Sequence, residues 1–434
     1  MQMKIAVVGM GYVGQTLAVV LADSGHKVYG VELDENVING IKSGTSHVHE
    51  EHLNHFIKKH LNKNFFIGRP EEMYSKDFDA FIVSVATPIN KETKKPNMEI
   101  LKNSINEIKN YLGPGKILIL RSTVPVGTTR NVVIPIIEQS GLKAGRDFCV
   151  AYAPERTAEG VALKELKTLP QVIGGYDDES LLTATKIFIQ VTPTVIRVSS
   201  LEAAEVIKLL DNSYRDVVFA YSNEISKYCQ KAGLNAFEII RSANYGYPRN
   251  NIPLPSPGVG GACLSKDPHI FADSAMQKGV NLSLIRNARQ INETMVMHVV
   301  ETLKNHTSLT DKKIVICGFA FKGHPETKDV RESPTLYLLE HLKDEGAKIY
   351  GYDPLVDRKE IEDLGVEYVD NLESGMDGMD IAIFMINHRS FVNMSVKDVF
   401  SRLNKKGVVY DGWGLFNKHE VEELGLRYMG IGVS

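Results

Sequence analysis

The chain has little of what would mark a membrane, secreted or nucleic-acid-binding protein. No uncharged apolar run reaches the roughly 18 residues that a spanning helix needs, and the short apolar stretch at the start reads as a strand running into Gly9, not as a secretion signal. An excess of basic charge is missing too. Fifty Lys and Arg face 53 Asp and Glu, for a net charge of -3, so nothing draws the chain to nucleic acid or to an anionic membrane. Cysteine is scarce, four in 434 residues, with neither the density of a disulfide scaffold nor the paired short spacing of a zinc site. The expectations are no metal, no membrane or nucleic-acid partner, and a cytoplasmic location. What is present, 43% hydrophobic and 24% charged residues, suits a globular fold. The length exceeds the roughly 250–300 residues at which one core stops growing, so two or three domains are expected.

Buried-looking strands at residues 3–9, 27–32, 78–85, 116–120 and 148–151 alternate with helical stretches, the pattern of a doubly wound parallel sheet. Apolar residues then recur at helical spacing over residues 201–232 without Gly or Pro, which predicts one long helix stopped by Gly233. A loop rich in Pro and Gly covers residues 245–261, and two more helices lead to about residue 305. A second strand-helix-strand pattern starts at residues 312–318 and returns at 347–350, with later strands at 380–385 and 407–410. The predicted fold is therefore α/β: two Rossmann-like doubly wound parallel-sheet domains, residues 1–198 and 306–434, joined by a central helical domain at 199–305.

Gly9-Met10-Gly11-Tyr12-Val13-Gly14 matches G-x-G-x-x-G between a strand and a helix. Gly9 permits the tight turn, Gly11 lets the backbone approach a pyrophosphate, and Gly14 lets helix and strand pack closely. The helix start adds free N–H groups and partial positive charge. Glu32 ends the second strand, where a carboxylate can accept hydrogen bonds from ribose hydroxyls; that favours NAD over NADP. Thr87, and Ser122 with Thr123, fall at strand C-terminal ends, where ligands collect in open α/β sheets; singly, each is equally an ordinary turn or helix cap. The C-terminal sheet lacks the three-glycine turn and is expected to bind something else.

Three of the cysteines, Cys149, Cys229 and Cys317, lie in apolar segments as small buried hydrophobes do. Cys263 instead follows Gly260-Gly261-Ala262 and precedes a helix start, a setting that favours thiolate. It reads as a nucleophile or as a free cysteine in a glycine-rich turn. A dehydrogenase cofactor together with a nucleophilic thiol implies one chemistry: alcohol to aldehyde, thiohemiacetal, thioester, carboxylate. Lys208 and Asn212 are four apart on the long helix and share a face. They could stabilise oxyanions or be a solvated polar pair. Glu155 and Glu159 follow the strand near Ala151 and could orient water or substrate.

Taken together, these residues resemble the UDP-glucose/GDP-mannose dehydrogenase family over essentially the whole chain. The resemblance rests on the glycine turn, Ser122-Thr123-Val124-Pro125-Val126-Gly127-Thr128, Pro154-Glu155, Glu205 with Lys208 and Asn212, Gly260-Gly261-Ala262-Cys263, and Phe321-Lys322 with Asp329-Val330-Arg331-Glu332-Ser333. It implies that Cys263 is the nucleophile, that Lys208, Asn212 and Asp267 support oxyanions and water, and that Thr123 and Glu155 position a water for proton transfer. It places NAD on Gly9, Gly11, Tyr12, Val13, Gly14, Glu32, Thr87, Ser122, Thr123, Glu159 and Arg331. It places a UDP-sugar on Glu155, Lys208, Asn212, Arg249, Gly260, Phe321 and Lys322, and it implies a homodimer or higher homo-oligomer.

Within that resemblance, residues 247–249 through 257–261 are similar to dehydrogenases of UDP-N-acetylhexosamines, UDP-N-acetylmannosamine above all, whereas Ser265-Lys266-Asp267 is similar to UDP-glucose enzymes. Ala262 replaces the residue common before the cysteine, and Trp413 stands where many relatives carry an arginine that contacts substrate. Substituting Glu32→Ala is expected to weaken NAD binding and to leave affinity for the sugar nucleotide unchanged in separate titrations of the two ligands; equal loss of both would contradict the assignment of the first sheet to the dinucleotide.

Overall fold

Strand β1 (Lys4–Val8) is buried along its length after the first residue, as a strand in mid-sheet with helices on both faces must be. The computed structural model describes residues 2–73, 77–90 and 92–433. The remaining strands of the first sheet are β2 (Lys27–Val31), β3 (Phe65–Gly68), β4 (Ala80–Val83), β5 (Ile117–Leu120), β6 (Cys149–Tyr152), β7 (Gln171–Gly175) and β8 (Val195–Val198). Their order is β3-β2-β1-β4-β5-β6-β7-β8. The chain reverses direction of travel across the sheet between β1 and β4, the switch point at which a ligand crevice opens.

The first six strands are parallel, but β7 runs antiparallel to β6 and β8 follows β7. The doubly wound parallel sheet expected from the sequence thus carries one antiparallel pairing, at this edge. The connection from β6 carries only a seven-residue helix, Ala162–Thr168, and the chain re-enters the sheet from the end at which β6 left it.

The second sheet holds β9 (Lys313–Cys317), β10 (Lys348–Tyr352), β11 (Glu367–Tyr368), β12 (Ile381–Phe384), β13 (Val408–Asp411) and β14 (Arg427–Gly430), ordered β11-β10-β9-β12-β13-β14 and parallel throughout. One face is closed by aromatic rings in edge contact, with Phe384 at 5.3 Å from Phe391, 5.7 Å from Phe400 and 4.7 Å from Phe416. Such pairs add about 0.5–1.5 kcal/mol each beyond the area they bury.

The helical part consists of Leu201–Lys231, Ala236–Asn244, Asp267–Met276 and Ser283–Lys304. The long helix ends where predicted: Gly233 adopts φ +70°, a left-handed conformation that costs a glycine little. By compactness the chain forms two units, Met1–Asp211 with His269–Asn281 and Asn212–Pro268 with Leu282–Ser434. Among the described residues no helix is long and apolar enough to cross a membrane.

In the first unit the Asp23 carboxylate, at the end of the first helix (Tyr12–Asp23), receives Lys59 at 2.6 Å, Lys167 at 2.8 Å and His60 at 3.1 Å. Burial alone would raise its pKa, but hydrogen bonds from Lys167, Lys59 and His60 hold it far below the usual carboxylate range. A carboxyl depressed in the folded state contributes stability above its unfolded pKa, about 3.9, and loses it as pH falls further. Asp23→Asn is expected to lower unfolding free energy by about 1–2 kcal/mol at neutral pH. In denaturant titrations the gap to the parent protein should hold down to about pH 4 and then close; a gap that widens on acidification would refute this reading.

Candidate active site

At the glycine turn the structure supplies the reason for each glycine. Gly9 sits at φ +88° with its N–H on the Val31 carbonyl at 2.9 Å. A Cβ on Gly14 would stand 1.9 Å from the Gly9 carbonyl oxygen, whereas one on Gly11 would meet nothing within 4 Å. The turn is closed beneath Gly14 and open above Gly11. The first helix has no side-chain cap and no acidic residue in its first turn, so its start faces that open side with positive polarity. Glu32 is half-buried, with Oε2 accepting the Met10 N–H at 2.8 Å and Oε1 the Leu33 N–H at 2.7 Å. An uncapped helix start, an open backbone and a carboxylate at the second strand end fit the pyrophosphate and ribose of NAD.

At the ends of β4 and β5 two loops are tied together. Thr87 Oγ1 donates to the Thr123 carbonyl at 2.6 Å and Ser122 Oγ to the Val85 carbonyl at 2.7 Å. Glu205, fully buried near the start of the long helix, accepts the N–H groups of Gly127 and Thr129 and the Thr129 hydroxyl, which fixes the 122–129 loop one helical turn from Lys208. Burial pushes its pKa up to about 7, against the hydrogen bonds from Thr129 and Gly127. Lys208 and Asn212 are both buried, so the alternative of a solvated polar pair is set aside. Glu155 accepts the Thr157 N–H within a loop, 153–160, that also carries Glu159. Beneath it the buried guanidinium of Arg121 donates to the Ala153 carbonyl at 3.1 Å and to Gln171 at 3.0 Å.

In the second unit the cysteine loop is held on every side. Gly260 has the Glu332 carbonyl oxygen 2.1 Å from where a Cβ would lie, and Gly261, at φ +90°, has the Phe321 ring at 2.6 Å. From below, the buried guanidinium of Arg289 donates to the Leu264 and Val259 carbonyls, each at 2.8 Å, while paired with Asp216 at 2.9 Å. Cys263 itself is exposed. Its carbonyl accepts the Asp267 N–H at 2.9 Å, and the fully buried Asp267 carboxylate receives Asn212 Nδ2 at 2.6 Å and Lys266 Nζ at 2.7 Å. Burial would lower the Lys266 pKa, but Asp267 and then Cys263 hold it above its ordinary value. The Lys266 ammonium and the Cys263 thiol thus interact electrostatically.

The second sheet repeats the first turn with one difference. Gly318, φ +102°, donates to the Tyr352 carbonyl at 2.8 Å, as Gly9 does to Val31. Asp353 follows β10 as Glu32 follows β2, and accepts the Phe319 N–H at 2.6 Å. Asp353 is buried, however, and backed by the fully buried His388, so no ribose can reach it. The next helix, Pro334–Asp344, starts far down the chain. The long loop so created carries Phe321, with the Lys322 ammonium 5.5 Å from its ring centroid, and Arg331, bonded to Asp329 at 2.6 Å. Trp413, after β13, donates Nε1–H to the Met385 carbonyl at 2.7 Å. Arg249 is exposed and lies over the Tyr247 ring.

The structure thus gathers Gly9, Gly11, Tyr12, Val13, Gly14, Glu32, Thr87, Ser122, Thr123, Glu155, Glu159 and Lys208 in the first unit and Asn212, Gly260, Cys263, Asp267, Phe321, Lys322 and Arg331 in the second. Arg249, also in the second, engages Tyr247. Sequence reasoning missed Lys266, Arg289 and Arg121. Lys266 could have been found from its place between cysteine and aspartate, whereas the buried arginines carry no local signal.

Residues 3–192 match the NAD binding domain of the UDP-glucose/GDP-mannose dehydrogenase family, residues 202–294 its central domain and residues 315–418 its UDP binding domain. A UDP-N-acetyl-D-mannosamine dehydrogenase of Methanocaldococcus jannaschii is 33% identical, with 99% of this chain and 96% of that one aligned. The structure of a UDP-D-ManNAc dehydrogenase from Pyrococcus horikoshii superposes with a TM-score of 0.89 at 31% identity over 99% of both chains. That of an NDP-N-acetyl-D-galactosaminuronic acid dehydrogenase from Methanosarcina mazei gives 0.83 at 28% identity over 100% of this chain and 96% of that one. With a dinucleotide turn, a second sheet closed to dinucleotides and full-length kinship to these enzymes, the chain belongs to the UDP-glucose/GDP-mannose dehydrogenase family of NAD-linked nucleotide-sugar dehydrogenases.

Proposed function

We propose that the protein oxidises the C6 hydroxyl of a UDP-N-acetylhexosamine, UDP-N-acetyl-D-mannosamine foremost, to the carboxylate in two successive two-electron steps. The observation that carries the reading is the Cys263–Lys266–Asp267–Asn212 assembly, a thiol on one turn with a paired ammonium and a doubly anchored carboxylate. The sugar follows from kinship to UDP-N-acetyl-D-mannosamine dehydrogenases at 30–33% identity.

Bound NAD supplies the hydride acceptor in both oxidations. Glu155, with Thr123, orients the water that takes the C6 hydroxyl proton as the first hydride leaves and an aldehyde forms. Cys263 thiolate then makes a C–S bond to the aldehyde carbon, and Lys208 and Asn212, on one face of the long helix, stabilise the alkoxide of the thiohemiacetal. Loss of the second hydride leaves a thioester. Water, held by Asp267 through its bonded neighbours, attacks the acyl carbon; the C–S bond breaks and thiolate is regenerated. The sum is one alcohol and one water to one carboxylate, with two hydrides and three protons released. Phe321, Lys322 and Gly260 hold the sugar nucleotide, and Glu159 and Arg331 the cofactor.

The protein is proposed to act as a homodimer. Tyr214, Tyr221 and Tyr228 recur every seven residues of the long helix and are 67%, 54% and 66% exposed, a side-chain stripe of the kind that a second copy covers.

Two NADH released per UDP-N-acetyl-D-mannosamine, with the uronic acid as product, is the expected stoichiometry. One NADH would indicate a simple two-electron dehydrogenase, none a protein that only binds nucleotides, and a preference for UDP-glucose would overturn the sugar. Cys263→Ser is expected to bind NAD normally and to lose steady-state acid formation by at least about a thousandfold; unchanged turnover would sink the thioester. Tyr221→Glu combined with Tyr228→Glu should shift the protein to monomers in sedimentation velocity, and an unaltered profile would place the interface elsewhere.

A further inference from the structure

Segment 46–50 follows the helix Glu35–Lys42 and has no part in the proposed chemistry, yet it reaches the dinucleotide turn twice. Gln15, fully buried in the first helix, donates to the Met10 carbonyl at 2.7 Å and accepts the Ser46 hydroxyl at 2.6 Å. Four residues on, Glu50 is 8% exposed. Its Oε2 accepts the Tyr12 hydroxyl at 2.5 Å and the Gly160 N–H at 2.8 Å, and its Oε1 the Leu163 N–H at 3.1 Å.

These bonds join two parts of the first unit that lie far apart in sequence. Tyr12 is the residue inside the glycine turn that opens the first helix, where the pyrophosphate is expected. Gly160 and Leu163 close the loop that carries Glu155 and Glu159, and Leu163 lies in the first turn of helix Ala162–Thr168, where a carboxylate is favoured by the helix dipole. The Gly160 N–H also reaches the Tyr12 oxygen at 3.1 Å. Burial, then the Glu50 carboxylate, raises the Tyr12 pKa far above its ordinary value, so the phenol remains a donor throughout the working range. A buried carboxylate fixed by one phenol and two backbone amides has little freedom to move without breaking several bonds at once.

We propose that Glu50, acting through Tyr12, is a positioning residue that locks the 155–163 loop to the glycine turn, so that binding of NAD also orders the loop bearing Glu155 and Glu159. The proposal rests on the assignment of Glu155 and Glu159 for its catalytic meaning but not for its test. Hydrogen exchange of the full-length protein, with and without NAD and in the absence of sugar, reads the coupling directly. In the parent protein, NAD is expected to slow exchange both at residues 9–14 and at residues 158–163. In Tyr12→Phe and in Glu50→Gln, NAD should still protect the glycine turn but no longer the 158–163 amides, with the dissociation constant for NAD raised about fivefold to tenfold. Should Glu50→Gln fail to fold, Tyr12→Phe, which removes one hydroxyl, carries the test alone. Protection of residues 158–163 that persists in Tyr12→Phe would overturn the coupling, as would an NAD affinity within twofold of the parent. The count of NADH per sugar is a separate measurement, so failure of the four-electron chemistry and failure of this coupling are told apart.

Discussion

A single buried carboxylate ties the cysteine turn of the second unit to the long helix. Asp267 is fully buried, receives Asn212 from the long helix and Lys266 from its own turn, and offers its backbone N–H to the Cys263 carbonyl. Isolated burial of an ionised carboxylate costs many kcal/mol, and it is tolerated here because both oxygens are engaged. Remove that group and the Lys266 ammonium loses its counter-charge and Asn212 its acceptor. The turn that carries the Cys263 thiol is therefore held electrostatically as well as sterically.

The two sheets show how one architecture is set to two ligands. Both begin with a glycine at positive φ whose N–H meets the carbonyl closing the second strand, and both place an acid after that strand. In the first sheet the helix follows at once and the acid remains half-exposed. In the second the acid is buried against His388 and the helix is displaced by a long loop that carries Phe321, Lys322 and Arg331. Thr335 Oγ1, at the start of that helix, donates to the Gly318 carbonyl at 2.8 Å, where Gly14 packs bare against Gly9.

Much of this was legible in the sequence because it depends on short-range pattern. The glycine turn, the strand at residues 3–9, the long helix and its glycine stop, and the exposed thiol among three more sheltered ones all follow from local spacing and local chemistry. Strand β11 escaped detection because two residues are too few to show a period, and β7 because it carries Gly174 and Gly175. Lys208 and Asn212 could be given one helix face but not burial, since burial depends on distant segments. Arg121 and Arg289 were invisible for the same reason: a buried guanidinium is justified only by carbonyls that the fold brings to it.

Cys263 is the exposed cysteine of the four, whereas Cys229 and Cys317 are buried and Cys149 is half-buried. Burial also lifts the Cys149 and Cys317 thiols above their ordinary pKa, while Cys263 lies near an ammonium. The native protein therefore carries a built-in address for thiol-directed reagents, one loop that a fluorophore, a spin label or a covalent inhibitor would find ahead of the rest of the molecule.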